Sequence, residues 1–556
     1  MNAPRNPGAR QSLSLLLLRL ALLCAVAWWL WPQEFEGRGA PEWRLWAGLA
    51  ALVFVAGAAV DVIRESRRIG RALGRRIAAL RPGAEYGTGG VATDADIRRA
   101  RLHRPADAFA GLTDGGTPVF YSPVHSFVLA PAGKGKTVSF VTNRLCLCTD
   151  SIWAPDYKGE LAVTTARLRR ERHGQRVVIL NAAELWADRL GPGDQINPLL
   201  LVMQDMAKRP GDALATTTVY VKQLCAAPPN AGNNLVFYQG AQDEIGFAIL
   251  KECSTKGARA TLCDVARLIA NPEAMDAALA EAMEMPDALG GELVDRALAL
   301  AELREQEPKL YNNCHVSAVQ AMRPFSRAGL AAKMVGGSTF DPIELKNSKT
   351  TVYVVIDPSR QAELAPVTGL ITQYALLRLM RAGNTIPVRF LLDEGTNFKV
   401  ENLSEALTGL RGFGIGVDFI AQSLSEVERV YGRHPVRTFV NQSDLKLFFG
   451  LADFDSAEMV SRMIGSSAVA TASYALGQTL TDDVGLSHAA TARPALTPDE
   501  LLRLPADRLI AFAGHHRPMN LRRLSYAEID PFRHWIDPNP LTGTRLKARL
   551  AMRLRT

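Results

Sequence analysis

The apolar residues nearest the N-terminus form two long runs. The first, Leu13–Trp31, is broken only by Ser14 and Arg19, and the second is Leu45–Val60. An α-helix needs roughly 20 apolar residues to cross a bilayer, and a slightly shorter run can still do so when its flanks reach the interface. A cleaved signal peptide is the alternative for the first run. That run ends in Trp-rich sequence without a small-residue cleavage pattern, so we predict a transmembrane hairpin.

The charges around the two runs predict their orientation. Arg5 and Arg10 precede the first run, and six arginines follow the second, at positions 64, 67, 68, 71, 75 and 76. The loop between the runs carries three glutamates and two arginines. Arginine and lysine accumulate on the cytoplasmic side of membrane helices, so both termini are predicted to be cytoplasmic. The arginines after the second run could also contact anionic lipid.

Shorter apolar runs alternate with helical patterns over most of the remaining chain. Strand-like runs occupy residues 125–130, 151–154, 176–180, 350–357, 387–392, 416–421, 444–449 and 508–513. This alternation predicts an α/β fold, with a parallel sheet covered by helices on both faces and ligands at the carboxyl ends of the strands. Between residues 232 and 340 the pattern is helical only, as in Pro272–Met285 and Leu310–Met334. We therefore predict an all-helical insertion there.

Five segments follow from these patterns. They are an anchor with a basic cytoplasmic segment (1–80), a first part of the α/β domain (81–231), the all-helical insertion (232–340), a second part of the α/β domain (341–530) and a basic tail (531–556).

Composition narrows the setting of the main body. The chain of 556 residues has a formal charge of +8, part of which comes from five basic residues in the tail, at positions 545, 547, 549, 553 and 555. Its seven cysteines form no C-x-x-C pair, and their odd number argues against a disulfide framework. These features favour a reducing cytosol. A modest positive charge suits nucleic acid or anionic lipid, although a solvated face is the commonest outcome for such a basic run.

A glycine-containing loop follows the first strand of the α/β region. The strand His125–Ala130 continues into Pro131–Thr137 (PAGKGKT) and then into a helical pattern. Strand, loop and helix start together cradle phosphate, because free backbone N–H groups and the helix dipole point at the anion. The predicted nucleotide-binding residues are Ala132, Gly133, Lys134, Gly135, Lys136, Thr137 and Val138. Lys136 would reach the β- and γ-phosphates of ATP, and the Thr137 hydroxyl would bind Mg²⁺. The usual pattern has Gly where Ala130 stands, and an ordinary glycine-rich turn is the alternative.

Two acidic residues end a second apolar run, Val388–Glu394. Asp393 is predicted to be the second Mg²⁺ ligand, and Glu394 the base that orients and deprotonates the attacking water. A surface carboxylate beside a helix start is the alternative for Glu394. Gln422 follows another predicted strand, Gly416–Ala421, where a γ-phosphate sensor would stand; polar residues end many strands, so this position alone is weak evidence.

Several of these segments together resemble a known family, the type IV secretion coupling proteins, which include the TraG/TraD-like conjugation ATPases. The resemblance extends over nearly the whole chain. It is carried by the two-helix anchor, Tyr86-Gly87 with Ala92-Thr93, Ala130–Thr137, Asp156–Leu161 (DYKGEL), Ile196–Leu199 (INPL), Phe390–Glu394 (FLLDE) and Ile420–Ser423 (IAQS). The DYKGEL segment is the most specific, because P-loop enzymes in general do not need it.

The resemblance implies a RecA-like P-loop motor that hydrolyses ATP with Mg²⁺ and assembles as a homo-hexamer at the bacterial inner membrane. It implies delivery of relaxase-bound DNA, effector proteins or both to the components of a type IV secretion channel, with the helical insertion taking part in substrate recognition. It also suggests that Arg411 acts on the γ-phosphate of a neighbouring subunit, although a surface arginine is an equally good reading.

Two other functions fit parts of this pattern. A chromosome translocase of the FtsK type uses a related motor, but it is expected to have more membrane helices and a C-terminal DNA-reading module. A membrane-anchored receptor could use nucleotide only to lock a ring, because binding and hydrolysis need nearly the same residues. Comparing the turnover of the wild type with that of Glu394→Gln separates this receptor from an ATPase.

Overall fold

The computed structural model describes residues 18, 21–26, 28–29, 42–79, 89–228, 231–383, 385–475, 485–542 and 552–553. The chain divides into two compact units. One contains the described residues up to 88 together with Ser466–Arg493, and the other contains Gly89–Gly465 and Pro494–Thr556.

From Glu42 onward, the described residues form fifteen strands and twenty-one α-helices, numbered along the chain. The strands are β1 Ala108–Leu112, β2 Pro118–Tyr121, β3 His125–Leu129, β4 Ser151–Tyr157, β5 Arg176–Asn181, β6 Thr350–Ile356, β7 Val388–Leu392, β8 Ile415–Ala421, β9 Leu445–Phe448, β10 Ser466–Ala475, β11 Gly485–Pro494, β12 Arg508–Ala513, β13 Met519–Arg522, β14 Ile529–Asp530 and β15 Met552–Arg553. The helices up to the end of the helical region are α1 Glu42–Ala79, α2 Asp94–Arg99, α3 Thr142–Leu147, α4 Glu160–Arg167, α5 Ala187–Leu190, α6 Leu199–Lys208, α7 Pro210–Leu224, α8 Leu235–Lys256, α9 Leu262–Ala270, α10 Pro272–Met283, α11 Glu292–Gln306, α12 Pro308–Met322, α13 Ala332–Val335 and α14 Glu344–Asn347. The later helices are α15 Gln361–Met380, α16 Leu403–Leu410, α17 Leu424–Tyr431, α18 Arg433–Gln442, α19 Phe454–Ile464, α20 Pro498–Leu502 and α21 Phe532–Trp535.

Eleven of the described strands form one mixed sheet in the order β2-β1-β13-β12-β9-β3-β8-β7-β4-β6-β5. The seven strands from β9 to β5 are parallel. All eight strands predicted from the sequence are present, but the expectation of a wholly parallel sheet was wrong at one edge. There β12 runs antiparallel to β9, because β12 begins beside the carboxyl end of β9. The short strands β1, β2 and β13 extend this antiparallel edge and were not predicted.

Both faces of the parallel strands are covered, which explains why these strands are continuous apolar runs. Successive residues of β3 point to opposite faces, so Phe127 packs in one large core and Val128 in a second. The same alternation places Trp153 of β4 in the first core and Ile152 in the second. All four side chains are fully buried.

All regular structure in the described residues between β5 and β6 is helical. The predicted segment 232–340 contains α8 to α13, so its helical character is present, whereas its boundaries stay a prediction. The run expected at Leu310–Met334 is interrupted after Met322. Pro324 lies in the short turn that follows, and a proline cannot supply the backbone N–H that continues an α-helix.

One helix among the described residues is long and apolar enough to cross a membrane, at Trp46–Arg64 within α1. Its large apolar side chains are exposed, including Phe54 at 69%. Only nine residues of the first predicted run, 13–31, are described, and these are helical. A second span therefore stays a prediction. Tyr86-Gly87 and the basic positions 545, 547, 549 and 555 of the tail lie outside the described residues.

Candidate nucleotide site

The predicted phosphate loop lies at the carboxyl end of β3, in the centre of the sheet. Gly133 and Gly135 have φ values of 73° and 80°, a backbone region that glycine adopts without steric cost. Ala130 replaces the usual first glycine. Its backbone N–H donates to the carbonyl of Ala421 at 3.0 Å, and its side chain is fully buried, so this residue continues the sheet instead of turning away from it. A Cβ is therefore accommodated at this position.

The loop leads into a helix whose first turn is wide. Thr137–Val141 forms a π-helical turn, and α3 continues from Thr142. The Ser139 hydroxyl donates to the carbonyl of Gly135 at 2.6 Å and braces the loop. The loop therefore ends at a helix N-terminus, and the free backbone N–H groups and the dipole of a helix N-terminus favour a phosphate there.

The two acidic residues at the end of β7 meet this loop. Thr137 Oγ1 donates to Asp393 Oδ2 at 3.1 Å, and Lys136 Nζ lies 3.3 Å from Glu394 Oε1. Lys136 is only 5% exposed. The members of each pair are more than 250 residues apart in the sequence, and β8 separates their strands in the sheet. Four of the predicted site residues therefore lie together.

The surroundings of Asp393 fit a divalent cation. Burial raises its pKa to about 6, and the charge of Glu394 adds to this, while Lys136 and Thr137 act in the opposite direction. Asp393 Oδ1 is buried and has no hydrogen-bond partner among the described residues. This oxygen and the hydroxyl of Thr137 are ligands that Mg²⁺ prefers.

Glu394 is held in a restricted backbone conformation. Its φ is 52°, which few non-glycine residues adopt and which is concentrated at functional sites. Asn397 Nδ2 donates to Glu394 Oε2 at 2.6 Å, so Asn397 and Lys136 each contact one carboxylate oxygen. The role of Asn397 was not predicted.

Gln422 and Arg411 lie at opposite ends of β8. Ala421 pairs with Leu129, so the half-buried Gln422 adjoins the start of the phosphate loop. Arg411 is exposed in the turn before β8, at the amino end of this strand. The seven residues of β8 span roughly 23 Å at ~3.3 Å per residue. The structure therefore brings Gln422 to the site of its own chain and keeps Arg411 away from it.

The DYKGEL segment forms the turn from β4 into α4. The Asp156 carboxylate accepts a hydrogen bond from the N–H of Ala162 at 2.7 Å, and burial raises its pKa to about 7. Gly159 has a φ of 68°, and a Cβ there would approach Trp186 Cδ1 to 2.8 Å. Since β4 is the neighbour of β7, this turn lies beside Asp393. The glycine is required by the turn and by its close contact.

Arg523, a residue with no sequence signal, also contacts the phosphate loop. Its Nη1 lies 3.4 Å from both the carbonyl of Gly135 and the hydroxyl of Ser139, and its Nη2 donates to the carbonyl of Ala506 at 3.0 Å. The guanidinium carbon lies 5.3 Å from the ring centre of Phe449. Burial lowers the pKa of Arg523. Arg523 directly follows β13, one of the strands that were not predicted. The antiparallel pairing of β13 with β12 therefore brings Arg523 to the phosphate loop.

A buried ionic group lies beneath the site. Asp418 of β8 contacts Arg144 Nε at 3.0 Å through Oδ2 and Arg389 Nη1 at 3.1 Å through Oδ1. Arg144 is on α3 and Arg389 is on β7, so the group joins the helix after the loop to the strand that carries the acidic residues. Burial alone would raise the pKa of Asp418, but the two guanidinium groups lower it.

Comparison with known proteins places this geometry in context. The family model described as "Type IV secretory system Conjugative DNA transfer" matches residues 94–547. Protein VirD4 of Agrobacterium fabrum (strain C58 / ATCC 33970) is 24% identical over 95% of this chain and 79% of its own length. Conjugal transfer protein TraG of Escherichia coli is 23% identical over 69% of this chain and 62% of its own.

Solved structures share the fold. The unbound bacterial conjugative coupling protein TrwBdeltaN70 superposes with a TM-score of 0.58 at 14% identity, covering 79% of this chain and 93% of its own. TrwB in complex with ADP and Mg²⁺ gives a TM-score of 0.56 at 14% identity, covering 79% of this chain and 94% of its own. At this identity the likeness shows the fold alone.

Proposed function

The chain belongs to the type IV secretory system conjugative DNA-transfer family, and on this premise we propose that it is a membrane-anchored coupling ATPase. It would recruit a DNA–relaxase complex or effector proteins and use ATP to deliver them to a secretion channel. The observation that carries the proposal is the convergence of Lys136 with Glu394 and of Thr137 with Asp393. A motor needs these groups around one triphosphate.

The contacts give each side chain a role in phosphate chemistry. Bound Mg²⁺ would supply positive charge at the β- and γ-phosphate oxygens. Thr137 Oγ1 and Asp393 would hold it, and the backbone N–H groups of 132–138 would bind the phosphates. Lys136 neutralises Glu394 at 3.3 Å. We propose that Lys136 turns to the phosphates on binding, which leaves Glu394 free to accept a proton from water.

Asn397 keeps the freed carboxylate in place. Its amide donates to Glu394 Oε2 at 2.6 Å, so Glu394 keeps one oriented oxygen when Lys136 moves away. Gln422, beside the loop, would sense the γ-phosphate and transmit its presence along β8.

The position of Arg411 supports a ring. Arg411 is exposed at the amino end of β8, whereas the phosphate loop lies at the carboxyl ends of the strands. It would therefore act only on a nucleotide held by another subunit. We propose a homo-hexamer in which each site is completed by Arg411 of the adjacent copy, an effect worth ~10³ or more in rate.

The apolar helix at Trp46–Arg64 supports attachment to the inner membrane. We propose that the run 13–31 forms a second span, with both termini in the cytoplasm. The helical region between β5 and β6 would face the cytosol and take part in substrate recognition, as the family resemblance implies.

Steady-state ATP hydrolysis by the full chain in neutral detergent tests the proposal. The rate should rise when single- or double-stranded DNA is added, and Lys136→Ala should abolish it. Lys222→Ala is the control, because Lys222 is an exposed lysine on α7. Hydrolysis that survives Lys136→Ala at the control rate would refute the site. Negligible turnover in the wild type, Lys222→Ala and Glu394→Gln alike would support the nucleotide-locked receptor instead.

A further inference from the structure

One buried hydroxyl group lies beside the acidic residues that follow β7. It belongs to Tyr157, the last residue of β4, and its oxygen has no hydrogen-bond partner among the described residues. A buried hydroxyl without a partner has lost its hydrogen bonds to water, and a bound molecule can offset this cost in free energy. The Tyr157 hydroxyl is therefore a candidate contact for a molecule that enters the nucleotide site.

The sheet brings Tyr157 next to Glu394. The strands β4 and β7 are parallel neighbours, and Trp153 pairs with Phe390. Four residues beyond this pair, the two chains reach Tyr157 and Glu394. Burial raises the pKa of Tyr157, and the charge of Glu394 raises it further, in agreement with this proximity. The phenol is therefore neutral at pH 7 and lies within the field of the proposed base.

Contacts on two sides hold Tyr157 in place. On one side, Tyr157 pairs with Ile356 of β6. On the other, its ring stacks on Phe398, with 6.3 Å between the ring centres and 23° between the planes. Phe398 directly follows Asn397, whose amide donates to Glu394 Oε2. The tyrosine thus packs against the turn that positions the proposed base.

A water molecule that attacks ATP has two O–H bonds to place. Glu394 can accept one of them, and a second acceptor would leave a lone pair of the water facing the γ-phosphorus. The phenolic oxygen of a neutral tyrosine is such an acceptor. On the basis of the proposed ATPase function, we infer that Tyr157 is a further catalytic residue, which holds the attacking water together with Glu394.

In this step the water oxygen forms a bond to the γ-phosphorus. The bond from that phosphorus to the bridging oxygen breaks, and its electron pair leaves with ADP. One proton passes from the water to Glu394, whereas Tyr157 keeps its own proton and only orients the second O–H bond. Tyr157 therefore contributes to the rate of the chemical step and makes no contact with ATP in the ground state.

The variant Tyr157→Phe tests this role, because it removes the hydroxyl and keeps the ring on Phe398. Single-turnover hydrolysis by the full chain in neutral detergent, at saturating ATP, should slow about tenfold, the effect of one hydrogen bond to the reacting water. ATP affinity in equilibrium titration should stay within about twofold. Tyr374→Phe is the matched control, because the Tyr374 hydroxyl is also buried without a partner in the described residues, and the charged groups near it are Asp341 and Arg378. Its hydrolysis rate should change less than about twofold.

A double variant tests whether Tyr157 and Glu394 act on the same water. Residues that act as a unit give losses that do not multiply. Adding Tyr157→Phe to Glu394→Gln should therefore slow single-turnover hydrolysis by less than about threefold, against about tenfold in the wild-type background. The same fold loss in both backgrounds would refute a shared water.

The outcomes separate the role of Tyr157 from the proposed function. If the wild type hydrolyses ATP, Glu394→Gln does not, and Tyr157→Phe matches Tyr374→Phe, only the role of Tyr157 is overturned. A lower ATP affinity or unfolding temperature of Tyr157→Phe with an unchanged rate at saturating ATP would show a binding or packing role and would also overturn it. Negligible turnover of the wild type would refute both the ATPase and the role of Tyr157.

Discussion

The buried ionic group beneath the phosphate loop allows a quantitative prediction. In Asp418→Asn the side chain keeps its shape but loses its charge. Asp418, Arg144 and Arg389 are 0%, 1% and 5% exposed, so water cannot replace the lost partner. Both terminal nitrogens of Arg144 are already buried without a partner in the described residues. The substitution would leave two guanidinium charges in the core with no carboxylate between them.

The expected loss of stability is large. Removing one member of a buried ion pair typically costs about 3–5 kcal/mol, because the remaining charge is desolvated and uncompensated. At ~2.1 cal/mol/K of unfolding entropy per residue, a loss of this size lowers the unfolding temperature of this 556-residue chain by about 3–4 °C. Because Asp418 joins α3 to β7, the acidic residues at the end of β7 should also move relative to the loop. Nucleotide affinity should therefore fall together with stability.

Thermal unfolding of the full chain, followed by near-ultraviolet circular dichroism in detergent, measures the effect. The control is Asp499→Asn, because Asp499 is 68% exposed in its pair with Arg503. Exposed pairs contribute about 0–1 kcal/mol, so the control should unfold within about 1 °C of the wild type. If Asp418→Asn and Asp499→Asn unfold at the same temperature, the two arginines do not depend on the Asp418 carboxylate, and the proposed coupling between α3 and β7 is wrong.

The same group predicts a pH dependence. The pKa of Asp418 is lower in the folded chain than in the unfolded chain, so the unfolded state binds the proton more tightly. The stabilisation is fully present above the unfolded value, ~4, and is lost as the pH falls through the lowered folded value. Wild-type stability should fall in this acidic range more steeply than that of Asp418→Asn. Parallel pH profiles would contradict the reasoning.

Three further predictions concern the nucleotide site. Glu394→Gln should bind ATP within about twofold of the wild type in equilibrium titration and lose at least ~10² in single-turnover hydrolysis; equal hydrolysis would exclude Glu394 as the base. Arg411→Ala should lose ~10³ in turnover, and rings mixed with Lys136→Ala should recover activity above either variant alone, whereas no recovery would argue against action between subunits. Arg523→Ala should weaken ATP binding about tenfold by releasing the loop, with Arg437→Ala as the exposed control; an affinity equal to the control would show that the contact is not needed.

The sequence alone determined the features that depend on neighbouring residues. The phosphate loop, with left-handed glycines at 133 and 135, is specified within one strand, turn and helix start. Strands buried on both faces are apolar along most of their length, with few charged residues such as Asp418 of β8, so all eight predicted strands were recognisable. The family was recognisable from short segments such as PAGKGKT and DYKGEL, because each of these two forms the local turn that joins a strand to a helix.

Only the tertiary structure decided which distant residues meet. Arg523 reaches Gly135 because β13 pairs antiparallel with β12, and no short sequence pattern predicted this pairing. Arg411 and Gln422 both flank β8, but the parallel pairing of β8 with β3 places only Gln422 beside the phosphate loop. Thr137 and Asp393 are in contact because β7, β8 and β3 are adjacent in that order. Strand order results from packing of the whole sheet between two cores, and this packing free energy has no local signature in the sequence.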